Sequence, residues 1–593
     1  MSTQLITNYY RLHNVKQFKE SISEAANSVY YVFAAKHTPY DAGDDTIPSI
    51  INSVDTTFYQ PYQEMIFGKR VKPSDAVIVA PRYNWTSGTV YTAYDSVVDL
   101  TDKQYYVCVN NGGSSYSVFK CMDNNGNTPS TVQPDYTQTS PNASYYQTSD
   151  GYQWKYMYSL DTTTFNTFAT ADYLPIVANT QVSGNAVSGA IEVITVNTPG
   201  SNYNTFLTGT FTKDDLRVGG SSTLYNIATS ASPYTSFYTG SFLYLKSGTG
   251  SGQGRKIIDY YAVGSSKTVV LESAFSTPPD VTTVYEITPS VLITGNGTGA
   301  LARAMVNTNA ANGVSYIQII NKGSGYTYAS AIVVGNTGGV SNAAVITPVL
   351  GPKNGHGYDP EYELGGSALC LSVSFANTEV GTIPVNNDYR KIGVLKDPLF
   401  ANVIITTNDS PGVFGIGETV TQANTNATGV VAAWDSLRTL QLTNVNGIVL
   451  TGNSTVNYLT GSTSGTRASV ASYEINGKVK DFNTFDQREK YTFSSLSGTA
   501  FIEDEKVWQT DISLANAYFH SNTSTTLYLT NEKGALNTGN TLVGESSGAT
   551  ANLLFHYPPD LIPGSGEVLY VENENVITRS DSQTETIKII LQF

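Results

Sequence analysis

The chain has 593 residues, a formal net charge of -15 and only 14% charged side chains. This length exceeds what one hydrophobic core supports, so we expect several domains, and the abundance of glycine and tyrosine is typical of β-rich modules with many turns. The negative charge, without clusters of Lys and Arg, argues against a nucleic-acid partner and against binding to an anionic membrane.

The amino-terminal segment is the most helical part of the sequence. Apolar residues at three- and four-residue spacing predict an amphipathic helix over 15–26, and VYYVFAA at 29–35 predicts a buried strand. A second helix is predicted over 50–65, ending at Gly68.

From Asp75 onward the sequence changes to short strand-like runs separated by turns. Residues 118–122 read as a strand, and Asp123 to Asn127 as a turn of residues that tolerate positive φ. In SDGYQWKYMYSL, at 149–160, four aromatic residues alternate with smaller or polar ones. Such a strand is either a core strand or a contact surface, and we favour the core.

Two long stretches carry internal repeats. In the first, GAIEVITVNTPGSNY at 189–203 and GVSYIQIINKGSGYT at 313–327 share alternating aliphatic residues that enter a Gly, Ser and Tyr turn. This pattern predicts two copies of one strand-and-turn device, and the sequence between them predicts a small unit of β-hairpins.

The second stretch contains a duplication of about fifty residues with five or so short strands per copy, the size of a small barrel or sandwich. We align Leu440 and Leu442 with Leu527 and Leu529, Gly465 with Gly548, and Trp434 near Phe519. The segment 476–496 is predicted to be a charged linker. The two copies span residues 417–470 and 504–554.

The carboxyl-terminal stretch 566–593 predicts two strands, at 568–571 and 587–593, joined by a polar connection that lets them lie antiparallel. Because an isolated hairpin is only marginally stable in water, this terminus is expected to complete a sheet with strands from elsewhere in the chain. We therefore expect the two ends of the chain to share a sheet.

Several segments resemble a known family. DAVIVAPRYNW, VFKCMDNNG and DGYQWKYMYSL resemble, in that order, the first half of the T4-type bacteriophage baseplate wedge subunit, the gene product eight family. NDYRKIGVLKDPLF at 387–400 is similar to a later strand region of that family, and EVLYVENEN with QTETIKIILQF is similar to its end. The stretches 183–350 and 401–555 have no counterpart in the shorter T4 relative, so this chain looks like a cyanophage-like enlarged version.

The resemblance implies a domain organisation. Residues 1–182 form the amino-terminal part of an α+β wedge-subunit core, and 183–350 an inserted β-module. Residues 351–400 return to the core, 401–555 hold the tandem duplicated β-domains, and 556–593 close the core. The expected fold class is mainly β, with antiparallel sandwich or barrel modules inserted in a core that carries a few amino-terminal helices.

A glycine-rich segment, SGTGSGQGRK at 247–256, is the strongest candidate for phosphate binding, because such loops can present backbone N–H groups to phosphate. It lacks the GK[ST] ending and precedes a strand-like IIDYY rather than a helix. We therefore predict a hairpin turn.

His356 lies near Asp359, Glu361 and Glu363, which leaves a cation site or an acid/base pair open beside the structural loop that we favour. Only one imidazole is local, whereas metal sites assemble three or more ligands with supporting partners.

Adjacent carboxylates at 44–45 and 503–505 could suggest glycoside hydrolysis, but catalytic pairs depend on three-dimensional separation. We predict solvated turns there. His13, His37, His520 and His556 are scattered and read as structural residues.

Other catalytic and cofactor patterns are missing from the sequence. There is no HExxH motif, and we predict no enzyme activity, no catalytic, cofactor-binding or metal-binding residues, and no cofactor. Cys108, Cys121 and Cys370 are too few for a disulfide framework and are expected to be reduced and buried, although the first two could lie on paired strands. The start of the sequence lacks the features of a signal peptide, and no apolar run is long enough to cross a membrane, which predicts a soluble protein.

The resemblance implies a structural component of the baseplate wedge in a contractile phage tail. Its expected partners are other wedge subunits and a second copy of itself, with tail fibre proteins as further candidates. Its expected location is the virion, after assembly in the host cytoplasm. The alternative is a receptor-binding or glycan-degrading tail fibre or spike protein, which would draw on the same Gly, Ser, Thr and Tyr richness.

Overall fold

The structure is a computed structural model, and its fold class is mainly β, built from antiparallel sheets and two closed barrels. This confirms the fold class predicted from composition and strand patterning. The structure describes residues 5–24, 28–113, 115–204, 206–216, 218–307, 311–334, 342–376, 379, 383–408, 412–415, 417–447, 449–479, 483–509, 512–557 and 559–593.

The first half of the strands runs in chain order as β1 Tyr30–Ala35, β2 Met65–Arg70, β3 Ala76–Pro81, β4 Tyr106–Asn110, β5 Ser115–Asp123, β6 Tyr146–Gln147, β7 Gln153–Asp161, β8 Tyr173–Pro175, β9 Ile191–Thr198, β10 Leu207–Thr210, β11 Leu224–Asn226, β12 Ser241–Ser247, β13 Gly254–Val263, β14 Ser266–Leu271, β15 Val284–Gly295, β16 Thr298–Asn307, β17 Gly313–Ser324 and β18 Ala329–Val334. The second half comprises β19 Val345–Leu350, β20 Ala368–Phe375, β21 Asn387–Lys396, β22 Phe400–Thr407, β23 Thr419–Gln422, β24 Thr428–Trp434, β25 Thr439–Asn446, β26 Tyr458–Gly461, β27 Arg467–Val479, β28 Thr484–Asp486, β29 Glu489–Ser497, β30 Lys506–Gln509, β31 Ile512–Asn522, β32 Thr526–Lys533, β33 Thr541–Gly544, β34 Thr550–Tyr557, β35 Glu567–Arg579 and β36 Glu585–Gln592. The α-helices are α1 Asn8–Ser23, α2 Gln60–Glu64, α3 Thr162–Phe168, α4 Thr180–Gly184 and α5 Pro360–Glu363.

The chain forms two compact units. The first comprises residues 1–12 and 78–368, and the second comprises residues 13–77 and 369–593. None of the helices within the described residues is both long and apolar enough to cross a membrane.

The second unit contains a five-stranded sheet in the order β28-β2-β1-β21-β35, and a separate pairing of β36 with β20. The strand predicted at 29–35 is β1, every residue of which is buried, and it pairs antiparallel with both β2 and β21. Strand β35 pairs with β21, with Ile392 opposite Glu572. The expectation that the carboxyl terminus completes a sheet with amino-terminal strands is therefore confirmed.

The predicted hairpin between the last two strands is wrong, because β35 and β36 lie in different pairings. The stretch taken as a polar connection continues β35 as far as Arg579. It can do so because β35 is an edge strand, whose polar side chains such as Glu572 remain accessible while the backbone pairs with β21. The alternating residues Ile587 and Ile589 of β36 are buried as predicted.

The helical predictions near the amino terminus hold only in part. Helix α1 begins earlier than predicted, and residues 25–26 of the prediction lie outside the described part of the chain. The second helix begins as a π-helical turn, Asp55–Tyr59, and ends at Glu64. Gly68 is not its cap but lies within β2, where a Cβ would come 2.4 Å from the Phe485 ring. The glycine permits this close approach.

The first unit contains a sheet in the order β4-β5-β7-β6, the pair β3–β8, the pair β9–β19, and a larger sheet through β11-β14-β13-β12-β15-β16-β17 in which β10 and β18 also pair with β15. The aromatic strand predicted at 149–160 is β7, and Tyr152 and Trp154 are fully buried in the core of the first of these sheets. The preference for core over contact surface is confirmed.

The three cysteines are free and buried. Cys108 and Cys121 lie on the paired strands β4 and β5, but Cys108 faces Val118 rather than Cys121. Burial raises the pKa of the Cys108 thiol to about 11 and that of Cys121 well above its usual value. Both thiols are therefore inert side chains of the core.

The strand-and-turn repeat is confirmed, and its two copies bond to each other reciprocally. Tyr326 N–H donates to Gly189 O at 3.0 Å, and Tyr203 N–H donates to Asn312 O at 3.0 Å. These two bonds are equivalent when the copies are superimposed at an offset of 123 residues. Tyr203 and Tyr326 are both buried in one shared core. The intervening residues 207–287 have a hydrophobic core of their own.

The second duplication forms two closed six-stranded barrels. Barrel 1 comprises β22 to β27, and barrel 2 comprises β29 to β34. Each copy is therefore larger than the predicted fifty residues, since a first strand precedes the aligned segment. The predicted linker is wrong in part, because 476–496 contributes β28 and most of β29, and β28 pairs with β2 of the five-stranded sheet.

Strand register shows where the sequence alignment of the barrels holds. Leu442 faces Val431 in barrel 1, and Leu529 faces Phe519 in barrel 2, so Val431 rather than Trp434 occupies the position of Phe519. The proposed equivalence of Trp434 had a physical basis, however. Trp434 packs against Phe414 with ring centroids 5.4 Å apart, and Phe519 packs against the equivalent Phe501 at 5.2 Å.

A buried carboxylate holds the same loop in each barrel. In barrel 1, Glu418 accepts hydrogen bonds from the backbone N–H groups of Gly415 at 2.6 Å and of Thr463 and Ser464 at 2.9 Å. In barrel 2, Glu505 accepts the corresponding bonds from Ile502, Ser546 and Ser547 at 2.8 to 3.0 Å. Neither glutamate was identified as a duplicated feature from the sequence, although the two align.

Candidate functional site

The glycine-rich segment 247–256 forms the turn between β12 and β13, two antiparallel strands of one sheet. Gly248, Gly250 and Gly252 have positive φ, and the chain continues as a strand rather than a helix. The prediction of a hairpin turn is confirmed.

His356 lies in a buried charge cluster in the first unit. Lys120 Nζ is 2.6 Å from His356 Nδ1 and donates a second hydrogen bond to Glu363, which also accepts from the Gly357 N–H at 2.6 Å. Burial and the Lys120 charge lower the pKa of His356 well below its usual value, so the imidazole is neutral and accepts from Lys120. Lys120 was missed in the sequence, because its strand reads as apolar and its partners are more than two hundred residues away.

The other acidic residues near His356 lie at helix α5. Asp359 caps helix α5 by accepting from the Tyr362 N–H at 3.1 Å, and Glu361 lies on the same helix. Within the described residues, no group of three His, Cys, Asp or Glu side chains is placed to hold a metal ion. Since His356 is 1% exposed, the cluster is inaccessible to substrate and serves to satisfy buried charge.

The adjacent carboxylates of the second unit were predicted to be solvated, which holds for the exposed Asp45 and Glu503 and is wrong for the buried Glu505. Asp44 accepts a bidentate pair of bonds from Arg390 at 2.7 and 2.8 Å. Asp504 bonds to the buried His37, and Glu505 is the buried carboxylate of barrel 2. Asp44, Asp504 and Glu505 therefore each have a different hydrogen-bond partner.

A second buried charge network lies where barrel 2 begins. Asp486 accepts from Arg488 at 2.8 Å and lies 3.6 Å from Lys490, which is 3.5 Å from Asp560. Burial by itself raises the pKa of Asp486, but the charges of Arg488 and Lys490 outweigh burial and lower it. The carboxylate therefore stays ionised, and the network fixes the start of β29.

The remaining histidines have structural surroundings. His520 is buried in the second unit, where burial and the Arg488 charge lower its pKa well below the usual value. His556 Nε2–H donates to Glu489 Oε2 at 2.7 Å, and its ring stacks on Tyr491. His13 is exposed.

A polar cleft in the first unit is a candidate binding site. It encloses about 900 Å³. One wall is the predicted turn 123–127 with the neighbouring ends of β6 and β7, and the opposite wall is formed by β9 and the start of β17. Asn125, Gly126 and Asn127 have positive φ, as the prediction for this turn required.

Three polar side chains form a row across one wall of this cleft. Asp123 of β5 is opposite Gln153 of β7, and Gln153 is in turn opposite Gln147 of β6. Because directly paired residues on antiparallel strands point to the same face, with Cβ atoms about 5 Å apart, the three side chains are neighbours. We call Asp123, Gln153 and Gln147 the cross-strand row.

The amides around the cleft divide into two groups. Asn124 is structural: its amide donates to Tyr91 O and to Asn127, each at 2.9 Å. Gln153, by contrast, is 3% exposed, yet its side-chain amide makes no hydrogen bond with any residue that the structure describes. Because neither atom of this amide is both buried and unpaired, the amide faces the open space of the cleft, where it is available to a ligand.

The cleft wall carries little charge. Asp123 is its single acidic side chain, and no Lys or Arg occurs among the described residues that line it. Burial raises the pKa of Asp123, while the Asn125 N–H that donates to it at 2.8 Å opposes the rise. The nearby Lys155 is held by Glu192 at 3.3 Å. The groups available to a ligand are therefore mostly neutral amides.

Comparison with known proteins gives no family assignment, since no protein-family model and no curated protein matches the chain.

Proposed function

We propose that the chain is a structural subunit of the baseplate wedge in a contractile phage tail, related to the gene product eight family and enlarged by inserted β-modules. One observation carries this proposal: the segments that resemble the family pair with one another. NDYRKIGVLKDPLF contains β21 and EVLYVENEN lies in β35, and these strands pair in the second unit. VFKCMDNNG in β5 and DGYQWKYMYSL in β7 pair in the first.

The stretches without a counterpart in the shorter relative mostly form structures of their own. The barrels close on themselves, and residues 207–287 have their own core. Such an arrangement is what insertion of modules into an older core produces, because insertions are tolerated where the surrounding strands can still pair.

As a wedge subunit the protein acts through its interfaces, with neighbouring wedge subunits and a second copy of itself as partners. Its affinity for the neighbouring subunits would differ between two conformations of the baseplate, and this difference would shift the baseplate from one conformation to the other. Such a role needs neither an active site nor a cofactor. The location that follows is the tail baseplate of the virion, with assembly in the host cytoplasm.

The proposal is tested by locating the chain on purified tails of a phage that encodes it, with a gold-labelled antibody against barrel 2 and electron microscopy. Label at the baseplate ring is the expected result. Label along fibres would favour the receptor-binding alternative, and unlabelled tails would overturn the proposal. Light scattering of the purified full chain adds a second readout, since a dimer fits the wedge and a trimer fits a fibre or spike.

A further inference from the structure

We propose that the polar cleft of the first unit is a binding site for a short neutral oligosaccharide, which the cross-strand row contacts through its side-chain amides. This inference does not depend on the proposed function, because it rests on the wall of the cleft alone. A saccharide site would fit equally in a wedge subunit or in another protein that meets a glycan surface.

The volume and polarity of the cleft limit the class of ligand. At about 900 Å³ the cleft lies near the upper end of the roughly 300–1,000 Å³ typical of small-molecule sites. A wall without Lys or Arg offers nothing to neutralise a phosphate or a nucleic-acid backbone. A wall rich in Asn and Gln is equally unsuited to an apolar ligand, because every amide that the ligand covers would lose its water without replacement.

The remaining chemistry matches hydroxyl groups. A carboxamide offers two donors and an acceptor in fixed geometry, and a hydroxyl both donates and accepts, so a row of amides can pair with successive hydroxyls of a sugar. Asp123 adds an acceptor, because its Oδ1 takes the Asn125 N–H and its Oδ2 has no partner among the described residues. Tyr316 in the opposite wall supplies an aromatic surface for the C–H face of a sugar ring.

The opposite wall also keeps an unused donor. Asn197 of β9 accepts from the Thr347 hydroxyl at 3.0 Å through its Oδ1, and its amide nitrogen has no hydrogen bond to a described residue. Both walls therefore present unpaired polar groups to the same space. Gln153 is the decisive residue, because it is the most deeply buried member of the row and its side-chain amide makes no hydrogen bond to a described residue.

The test is a binding measurement on the full-length chain with a set of short oligosaccharides of glucose, galactose, mannose and N-acetylglucosamine. Saturation-transfer NMR identifies binders, and titration calorimetry measures their Kd. We expect at least one member to bind, and Gln153→Ala to weaken it by about ten-fold, the worth of one well-made hydrogen bond. Gln147→Ala and Asp123→Asn are expected to act in the same direction.

Gln181→Ala is the matched control, because Gln181 is an exposed glutamine of the same unit on α4, outside the cleft. It should bind as the unaltered chain does. If Gln153→Ala fails to fold, the half-buried Gln147 and Asp123 variants decide the result. The proposal is overturned if no oligosaccharide binds, if the row variants bind as tightly as the control, or if only a mixture of short peptides binds.

Discussion

In residues 188–327 each copy of the strand-and-turn repeat bonds the other, whereas in residues 400–557 each copy of the duplicated domain closes a barrel of its own. The repeats exchange hydrogen bonds between the turn of one copy and the start of the other, and they share one core. Each barrel has a core of its own, although Tyr557 of β34 in barrel 2 packs into the core of barrel 1. A strand-and-turn unit is too small to bury its apolar face alone, while six strands closed into a barrel leave no unpaired edge.

This difference predicts how damage spreads. A destabilising substitution in one copy of the repeat should also destabilise the other copy, because the two copies exchange hydrogen bonds. A destabilising substitution in one barrel should act mainly on that barrel. The predictions below test this contrast with hydrogen exchange, which measures the local free energy of opening in each segment of the full chain.

The largest effect is expected at the turn glycines of the repeat. Gly200 and Gly323 have φ of 64° and 62°, and a Cβ would lie 2.6 Å from Ala344 N in the first case and 2.5 Å from Ala300 N in the second. Either Gly→Ala change should cost about 3 kcal/mol, because left-handed strain and a backbone clash combine. The protection of backbone amides from hydrogen exchange should fall in β9 and β17 together. Loss confined to the substituted copy would contradict reciprocal coupling.

A smaller, contained effect is expected from the barrel carboxylates. Glu418→Gln or Glu505→Gln turns an amide nitrogen toward backbone donors and leaves them unpaired, at a cost of about 2 kcal/mol. Only the substituted barrel should lose protection. Glu545→Gln, an exposed glutamate in the β33–β34 turn, is the control and should change little. Equal loss in both barrels would show that their cores are not independent.

Acid should weaken both barrels through the same residues. Burial alone raises the pKa of Glu418 and Glu505, but the hydrogen bonds from Ser464 and Ser547 and their neighbours outweigh burial and lower it. Their contribution to stability is therefore complete above the unfolded-state pKa and is lost as pH falls through the lower, folded-state pKa. As the pH falls below 5, the free energy of opening of barrel 2, measured by hydrogen exchange, should drop less in Glu505→Gln than in the unaltered chain. An identical drop would exclude this carboxylate as the cause.

The smallest effect is expected at the turn glycines of the barrels. Gly465 and Gly548 have φ of 64° and 65°, close to those of the repeat, but a Cβ at either would meet nothing within 4 Å. Gly465→Ala or Gly548→Ala should therefore cost about 1 kcal/mol, the left-handed strain alone. A cost matching that of Gly323→Ala would mean that strain rather than the clash controls both turns.

Parts of the candidate site were predictable. The turn at 123–127 follows from Asn and Gly, which tolerate positive φ, and the aromatic strand β7 follows from its alternation. The cleft itself was not predictable, because it needs β9 and β17 opposite this turn. Gln153 read as one polar position in a core strand. Only its pairing with Asp123 and Gln147 shows that three polar side chains form a row.

The sequence by itself determined the mainly β class, the two duplications, the buried β1 and the hairpin at 247–256. These depend on local alternation and turn chemistry, which are written in neighbouring residues. Only the tertiary structure decided that β35 and β36 separate, that β28 pairs with β2, and that Lys120 meets His356. Every strand offers the same backbone donors and acceptors, so alternation specifies which face is buried but not which strand lies beside it.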